Sequence, residues 1–164
     1  MTDRAVTADK RNAADAADAA IECLSFVSGY LYRLARYEAR DLGIRWTALM
    51  VLRDLSLLGP STQRALADIE QVREPTMTVL LKQMQARGWV TRRRDPRNPR
   101  TKLVEMTPEG ERELREAGKV IRRRLREELR GLSTREHERI EAALRPLAQL
   151  LMRKLDEARR ELRA

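Results

Sequence analysis

Cysteine and histidine are almost absent from this chain of 164 residues, which has one of each, Cys23 and His137. A lone thiol closes no internal disulfide, and one cysteine with one histidine makes no structural metal set. The same scarcity leaves no nucleophile–histidine–acid combination beyond His137, and no glycine-rich phosphate loop is present. Neither an enzyme nor a cofactor is expected. Aromatic residues are 4% of the chain, glycines number 7 and prolines 6, while Leu, Ala, Arg and Glu dominate. That balance favours a mainly helical protein. No apolar run approaches the roughly 20 residues that a membrane span needs. The first twenty residues, MTDRAVTADKRNAADAADAA, lack the hydrophobic segment of a signal peptide. A cytoplasmic protein with no membrane partner is expected.

Positive charge, by contrast, is abundant. The formal net charge is +9, so a polyanionic partner is the first expectation. The excess is concentrated between residues 91 and 102, where Arg92, Arg93, Arg94, Arg97, Arg100 and Lys102 face one acid, Asp95. Just upstream, Met77, Leu80, Leu81 and Met84 recur at the 3–4 spacing of one helix face. The other side of that helix carries Pro75, Thr76, Thr78, Val79, Lys82 and Gln83, with Arg73 just before it. Short polar or basic residues on a helix suit the DNA major groove, Val79 suits a thymine methyl, and an adjacent cationic hairpin suits phosphates or the minor groove. Double-stranded DNA is the expected partner, and the nucleoid the expected place.

The elements follow in order. Residues 1–13 read as a mobile tail. A first helix runs to about Arg40, with Leu24, Val27, Leu31 and Leu34 along one face. A second spans roughly Thr47–Leu58, burying Leu49, Leu52 and Leu55, and Gly59-Pro60 ends it. Ser61 is placed to cap a short helix, Thr62–Ile69, with Leu66 and Ile69 inward. The helix already described follows, with Pro75 in its first turn and Gly88 as its stop. Strands are expected at Trp89–Arg94 and Lys102–Met106, joined by the proline-rich tip Asp95–Arg100. Thr107-Pro108-Glu109 starts a helix ending near Gly131, and Ser133–Glu136 is a capping box for the last one. In that helix Ile140, Leu144, Leu147, Leu151, Leu155, Ala158 and Leu162 form a stripe, and Pro146 is expected to bend it.

The fold class is therefore mainly α with a small β-hairpin. A winged helix-turn-helix module occupies 46–107, and a helical dimerisation region comprises 14–45 and 108–164. The long terminal helices have more apolar surface than the central module can cover, so a homodimer is expected, with two recognition helices about 34 Å apart on a near-palindromic site. The runs Arg122–Arg126 and Arg159-Arg160 lie among glutamates on helices and read as solvated or cross-subunit charge networks.

In this order the residues resemble the MarR family of bacterial transcription regulators. The signature runs through Arg64-Ala65-Leu66-Ala67, then Val72–Thr78, then Arg87-Gly88-Trp89-Val90-Thr91-Arg92, and closes on Met106–Gly110. The family's wing motif, D-x-R-D-x-R, is Asp95-Pro96-Arg97-Asn98-Pro99-Arg100 here, with asparagine where aspartate is usual. The resemblance implies that Arg100 enters the minor groove, that Arg97 supports the wing or contacts backbone, and that Arg92, Arg94 and Asn98 belong to the same surface. It further implies a repressor released by a small aromatic or phenolic effector, with Tyr30, Arg33, Tyr37 and Trp46 as candidate ligand residues. Peroxide-sensing members carry cysteine directly before phenylalanine. Here Ser25 precedes Phe26, so Cys23 reads as a bystander thiol. The alternative of another kind is an architectural protein that coats duplex DNA without sequence preference.

Overall fold

The computed structural model describes the backbone of residues 2–161 and the side chains of residues 15–157. Two compact units comprise residues 1–38 and 39–164. The first is most of α1 (Thr2–Asp41). This helix starts at Thr2 and not near residue 14, because the alanine-rich segment favours helix and no glycine or proline interrupts it before Gly29. Along it Ile21, Leu24, Val27 and Leu31 are exposed, and Phe26 is 74% exposed.

The second unit takes in the end of α1, then α2 (Trp46–Leu58), β1 (Ser61–Thr62), α3 (Gln63–Ile69), α4 (Glu74–Ala86), β2 (Val90–Arg94), β3 (Lys102–Met106), α5 (Pro108–Glu128) and α6 (Thr134–Glu161). Its core forms where α2 brings Leu49, Val51, Leu52 and Leu55 against Leu66 and Ala67 of α3 and Met77, Leu81 and Met84 of α4. Trp89, Val90 and Val104 close the sheet side. The α4 stripe is buried as its period requires.

Local chemistry sets the ends of these helices. At the α4 exit, Gly88 adopts φ +72, its N–H reaches Gln85 O at 2.9 Å, and Trp89 N–H reaches Met84 O at 2.9 Å. This pair of bonds needs a left-handed residue at Gly88, which glycine supplies without steric cost. Thr107 caps α5 by accepting from Gly110 N at 3.1 Å. The capping box is complete: Glu136 accepts from Ser133 N at 2.8 Å, and Ser133 Oγ accepts from Glu136 N at 3.3 Å. Pro146 lies inside α6, on which Ile140, Leu144, Leu151 and Leu155 are exposed. Leu162 and the side chains of Ala158, Arg159 and Arg160 lie outside the described residues.

Three local expectations change. The helix cap is Thr62, which accepts from Ala65 N at 3.1 Å, whereas Ser61 Oγ donates to Gly59 O at 3.0 Å. Ile69 is 41% exposed, because Leu66 and Ala67 already fill the inner face of the seven-residue α3. The hairpin is two of three strands, ordered β1-β3-β2, with Ser61 opposite Val104 and Thr62 opposite Leu103.

Between α2 and α3 two carboxyl groups meet. Asp54 Oδ2 is buried without a hydrogen-bond donor, and the Asp54 and Glu70 side chains are within hydrogen-bonding reach. Two ionised carboxylates can only accept, so a bond between them requires a proton on one. Burial first, then Asp54, pushes Glu70 from its ordinary 4.5 up to about 7. Burial also raises Asp54, against lowering contributions from Glu70 and Arg53. A group raised on folding contributes stability that is present below pH 4.5 and lost as pH rises towards 7. Glu70→Gln keeps a donor facing Asp54 and removes that loss. Allowing for solvent screening, the variant should be more stable than the parent by about 1 kcal/mol, or about 3 °C in Tm, at pH 8. The difference should close towards pH 4. Melting curves across that range check this, and parallel curves for the two proteins would exclude it.

Candidate nucleic-acid interface

The connection between α3 and α4 turns through Glu70 and Gln71, with Gln71 at φ 52 and Val72 N–H bonded to Ala67 O at 3.0 Å. This sets α4 against α3 with its apolar stripe inward. Arg73, Pro75, Thr76, Lys82 and Gln83 are exposed on the outer side, as is Val79, at 53%. An apolar residue amid short polar ones gives this helix a mixed surface able to meet both base edges and methyl groups.

The wing begins where α4 ends. Thr107 ties the two together, its N–H reaching Trp89 O at 3.0 Å and its hydroxyl donating to Gly88 O at 2.5 Å. The tip is closed by Asp95 N–H on Thr101 O at 2.9 Å and Thr101 N–H on Asn98 O at 2.8 Å. Two side chains shape it further. Asp95 Oδ1 accepts from Arg97 N at 2.9 Å, and Asn98 Oδ1 accepts from Arg100 N at 3.1 Å. Asn98 thus holds the Arg100 backbone N–H. An asparagine performs this turn as well as an aspartate would, and adds no negative charge to the tip.

Charge on the wing is unevenly neutralised. Arg93 pairs with Glu105 at 2.8 Å. Arg92 donates to the uncharged Gln63 Oε1 at 3.0 Å. Among the described residues no carboxylate pairs with Arg92, Arg94, Arg97, Arg100 or Lys102. The helices differ: Arg124 pairs with Glu127 and Glu128 at 3.1 and 2.8 Å, Lys119 with Glu116 at 2.7 Å, and Arg112 with Glu109. Such exposed i,i+3 and i,i+4 pairs are the charge networks expected there.

Gln63 was not among the residues singled out from the sequence, yet it touches two that were. Its Nε2 donates to Thr78 Oγ1 at 2.8 Å, and Thr78 in turn donates to Glu74 O at 2.9 Å. The Thr78 hydroxyl is thereby engaged inside the module. No local pattern exposes such a bridge, since it joins three separate segments.

The effector candidates are distributed along the chain. Tyr30, Arg33 and Tyr37 are exposed on α1, and Trp46, the first residue of α2, packs on the core. The winged module has a cleft of about 480 Å³ behind α4, lined by Arg45, Ala48, Leu80, Met84, Arg87 and Trp89 among others. There the Arg87 guanidinium lies 4.8 Å from the centre of the Trp89 ring, a cation–π distance. Cys23 is exposed and unpaired by disulfide. Among the described residues no helix is long and apolar enough to cross a membrane.

A short helix, a turn, an exposed second helix and a cationic hairpin completed by a third strand define a winged helix-turn-helix protein. Residues 44–102 match the MarR family. The chain is 36% identical over 72 residues to YwoH of Bacillus subtilis, an uncharacterised HTH-type transcriptional regulator. That stretch covers 44% of this chain and 50% of the relative, so the match spans half the relative's length. A transcriptional regulator from Thermotoga maritima shares the fold at TM-score 0.70 and 22% identity, over 85% of this chain and 98% of that one. A mutant MarR from E. coli superposes at 0.67 with 22% identity, over 77% and 94%. A mutant of S. aureus MepR, bound to an oligodeoxyribonucleotide, does so at 0.57 with 20% identity, over 79% and 96%.

Proposed function

We propose that this protein is a dimeric, sequence-specific DNA-binding repressor that works in the cytoplasm on the nucleoid. In this reading α4 enters the major groove and the wing lies on the minor groove. The observation that carries it is the continuity of an exposed, mixed-polarity α4 face with a hydrogen-bonded wing whose Arg94, Arg97, Arg100 and Lys102 have no ion-pair partner among the described residues. Cations left unneutralised by the protein are the groups that displace condensed counterions from DNA. The MepR complex with an oligodeoxyribonucleotide supports the same use of the shared fold. Exposed apolar residues on α1 and on α6 support a second copy as the element that covers them, giving two recognition helices for a near-palindromic site.

Release by a small aromatic or phenolic acid is part of this proposal. Tyr30, Arg33, Tyr37 and Trp46 have the chemistry to hold such a molecule, and so does the cleft beside Arg45, Arg87 and Trp89. The effector must favour the dimer spacing that does not fit DNA. Fluorescence anisotropy tests the central statement. A duplex from upstream of the protein's own gene and a random duplex would be titrated at several salt concentrations. A preference of about 10³-fold or more with a steep salt slope is expected. Equal binding to both favours the architectural alternative, and absence of binding at low salt removes DNA from the function.

A further inference from the structure

Arg92 and Arg93 are neighbours in β2 with opposite electrostatic surroundings. Residues paired across a sheet share a face, and Arg92 is opposite the buried Val104, so it points to the inner side with Val90. Arg93, on the other side, is neutralised by Glu105. Arg92 is half-buried, its Nε is buried without an acceptor, and its Nη2 rests on Gln63 Oε1 at 3.0 Å. A carboxylate in place of that amide would orient the guanidinium too, but would cancel its charge. The neutral amide orients it and leaves the charge intact.

Gln63 is itself fixed at both ends. It follows Thr62, which caps α3 and pairs with β3. Its amide nitrogen holds Thr78 on α4, whose hydroxyl is anchored to Glu74 O. One side chain therefore joins the recognition helix to the wing strand. We propose that Gln63 is a positioning residue for DNA binding: by holding Thr78 and Arg92 together, it presents the Arg92 charge to a backbone phosphate at a fixed place relative to α4. This rests on the DNA-binding reading above.

Gln63→Met removes both hydrogen bonds at similar length and unchanged charge. On the full-length protein, anisotropy titrations would use a random duplex and a duplex selected by the parent protein from a randomised pool. Gln63→Met should weaken binding to both about tenfold and lower the salt slope by about one, as loss of one phosphate contact does. Arg92→Ala should do the same, and the double variant should be no worse than Arg92→Ala alone. If Gln63→Met does not fold by circular dichroism, Thr78→Val takes its place, with the same slope change expected. An unchanged slope, or losses that add to that of Arg92→Ala, would show a purely structural role and overturn the proposal. If the parent protein binds neither duplex, the DNA reading fails first and takes this inference with it. A parent that binds steeply beside variants of equal slope sinks the inference alone.

Discussion

Gly110→Ala should destabilise the protein by about 3 kcal/mol and lower its melting temperature by about 10 °C. A Cβ at this position would lie 2.2 Å from Trp89 O, 3.0 Å from Met106 Cγ and 3.1 Å from Leu52 Cδ2. The first of these is backbone and cannot swing aside. It also accepts the Thr107 N–H at 3.0 Å, the bond that brings the end of the wing back to the exit of α4. Relief would require moving the start of α5 off that junction, which would pull Thr107 from its cap on Gly110 and expose Leu52. The predicted loss is a large fraction of a typical stability of about 5–15 kcal/mol. Gly118→Ala is the control. Its Cβ would meet the flexible end of Arg122 at 3.1 Å, and alanine within a helix gains about 0.5–1 kcal/mol over glycine. Urea unfolding followed by circular dichroism should therefore move the two variants in opposite directions. Equal stability of Gly110→Ala and the parent would mean that the junction yields easily, and that the wing is not held as tightly as its hydrogen bonds imply.

What the sequence made legible is what local chemistry determines. The stripe Met77, Leu80, Leu81 and Met84 is a matter of helical period, and it is buried. The Gly88 stop, the Thr107 cap and the Ser133–Glu136 box each involve residues within a few positions of one another, and each is present. Strand β1 is different. Ser61 and Thr62 show no periodicity and become a strand only because β3 offers its edge. Ile69 looked inward because α3 is too short for its apolar face to be located from two residues. The Asp54–Glu70 pair and the Gln63–Thr78–Arg92 bridge depend on which side of α3 meets α2, α4 and β2, and that is decided by packing. Within the candidate interface, the cations could be read from composition. Their neutralisation could not: Arg92, Arg93 and Arg94 are equivalent as letters, and only the sheet assigns them alternate faces.

That distinction yields the largest expected effect on binding. Replacing Arg97 and Arg100 together by alanine should lower the salt slope by about two and weaken binding to a selected duplex by about 100-fold or more. Both residues are exposed at the tip, and their backbone N–H groups are held by Asp95 and Asn98. Ordering the loop in advance reduces the entropy that the complex must otherwise supply. The single variants should then separate two kinds of contact. If Arg100 reads a narrow minor groove, Arg100→Ala costs about 1–3 kcal/mol on the selected duplex and much less on a random one. Arg97→Ala, a backbone contact, should weaken both alike. The informative comparison is Arg93→Ala combined with Glu105→Ala. It removes a cation as well, but one already paired at 2.8 Å, and the net charge is unchanged. Its slope should match that of the parent. A slope lowered as much by this neutral pair as by the tip variant would mean that DNA responds to the number of arginines in the wing and not to their placement, which is what a non-specific architectural protein requires.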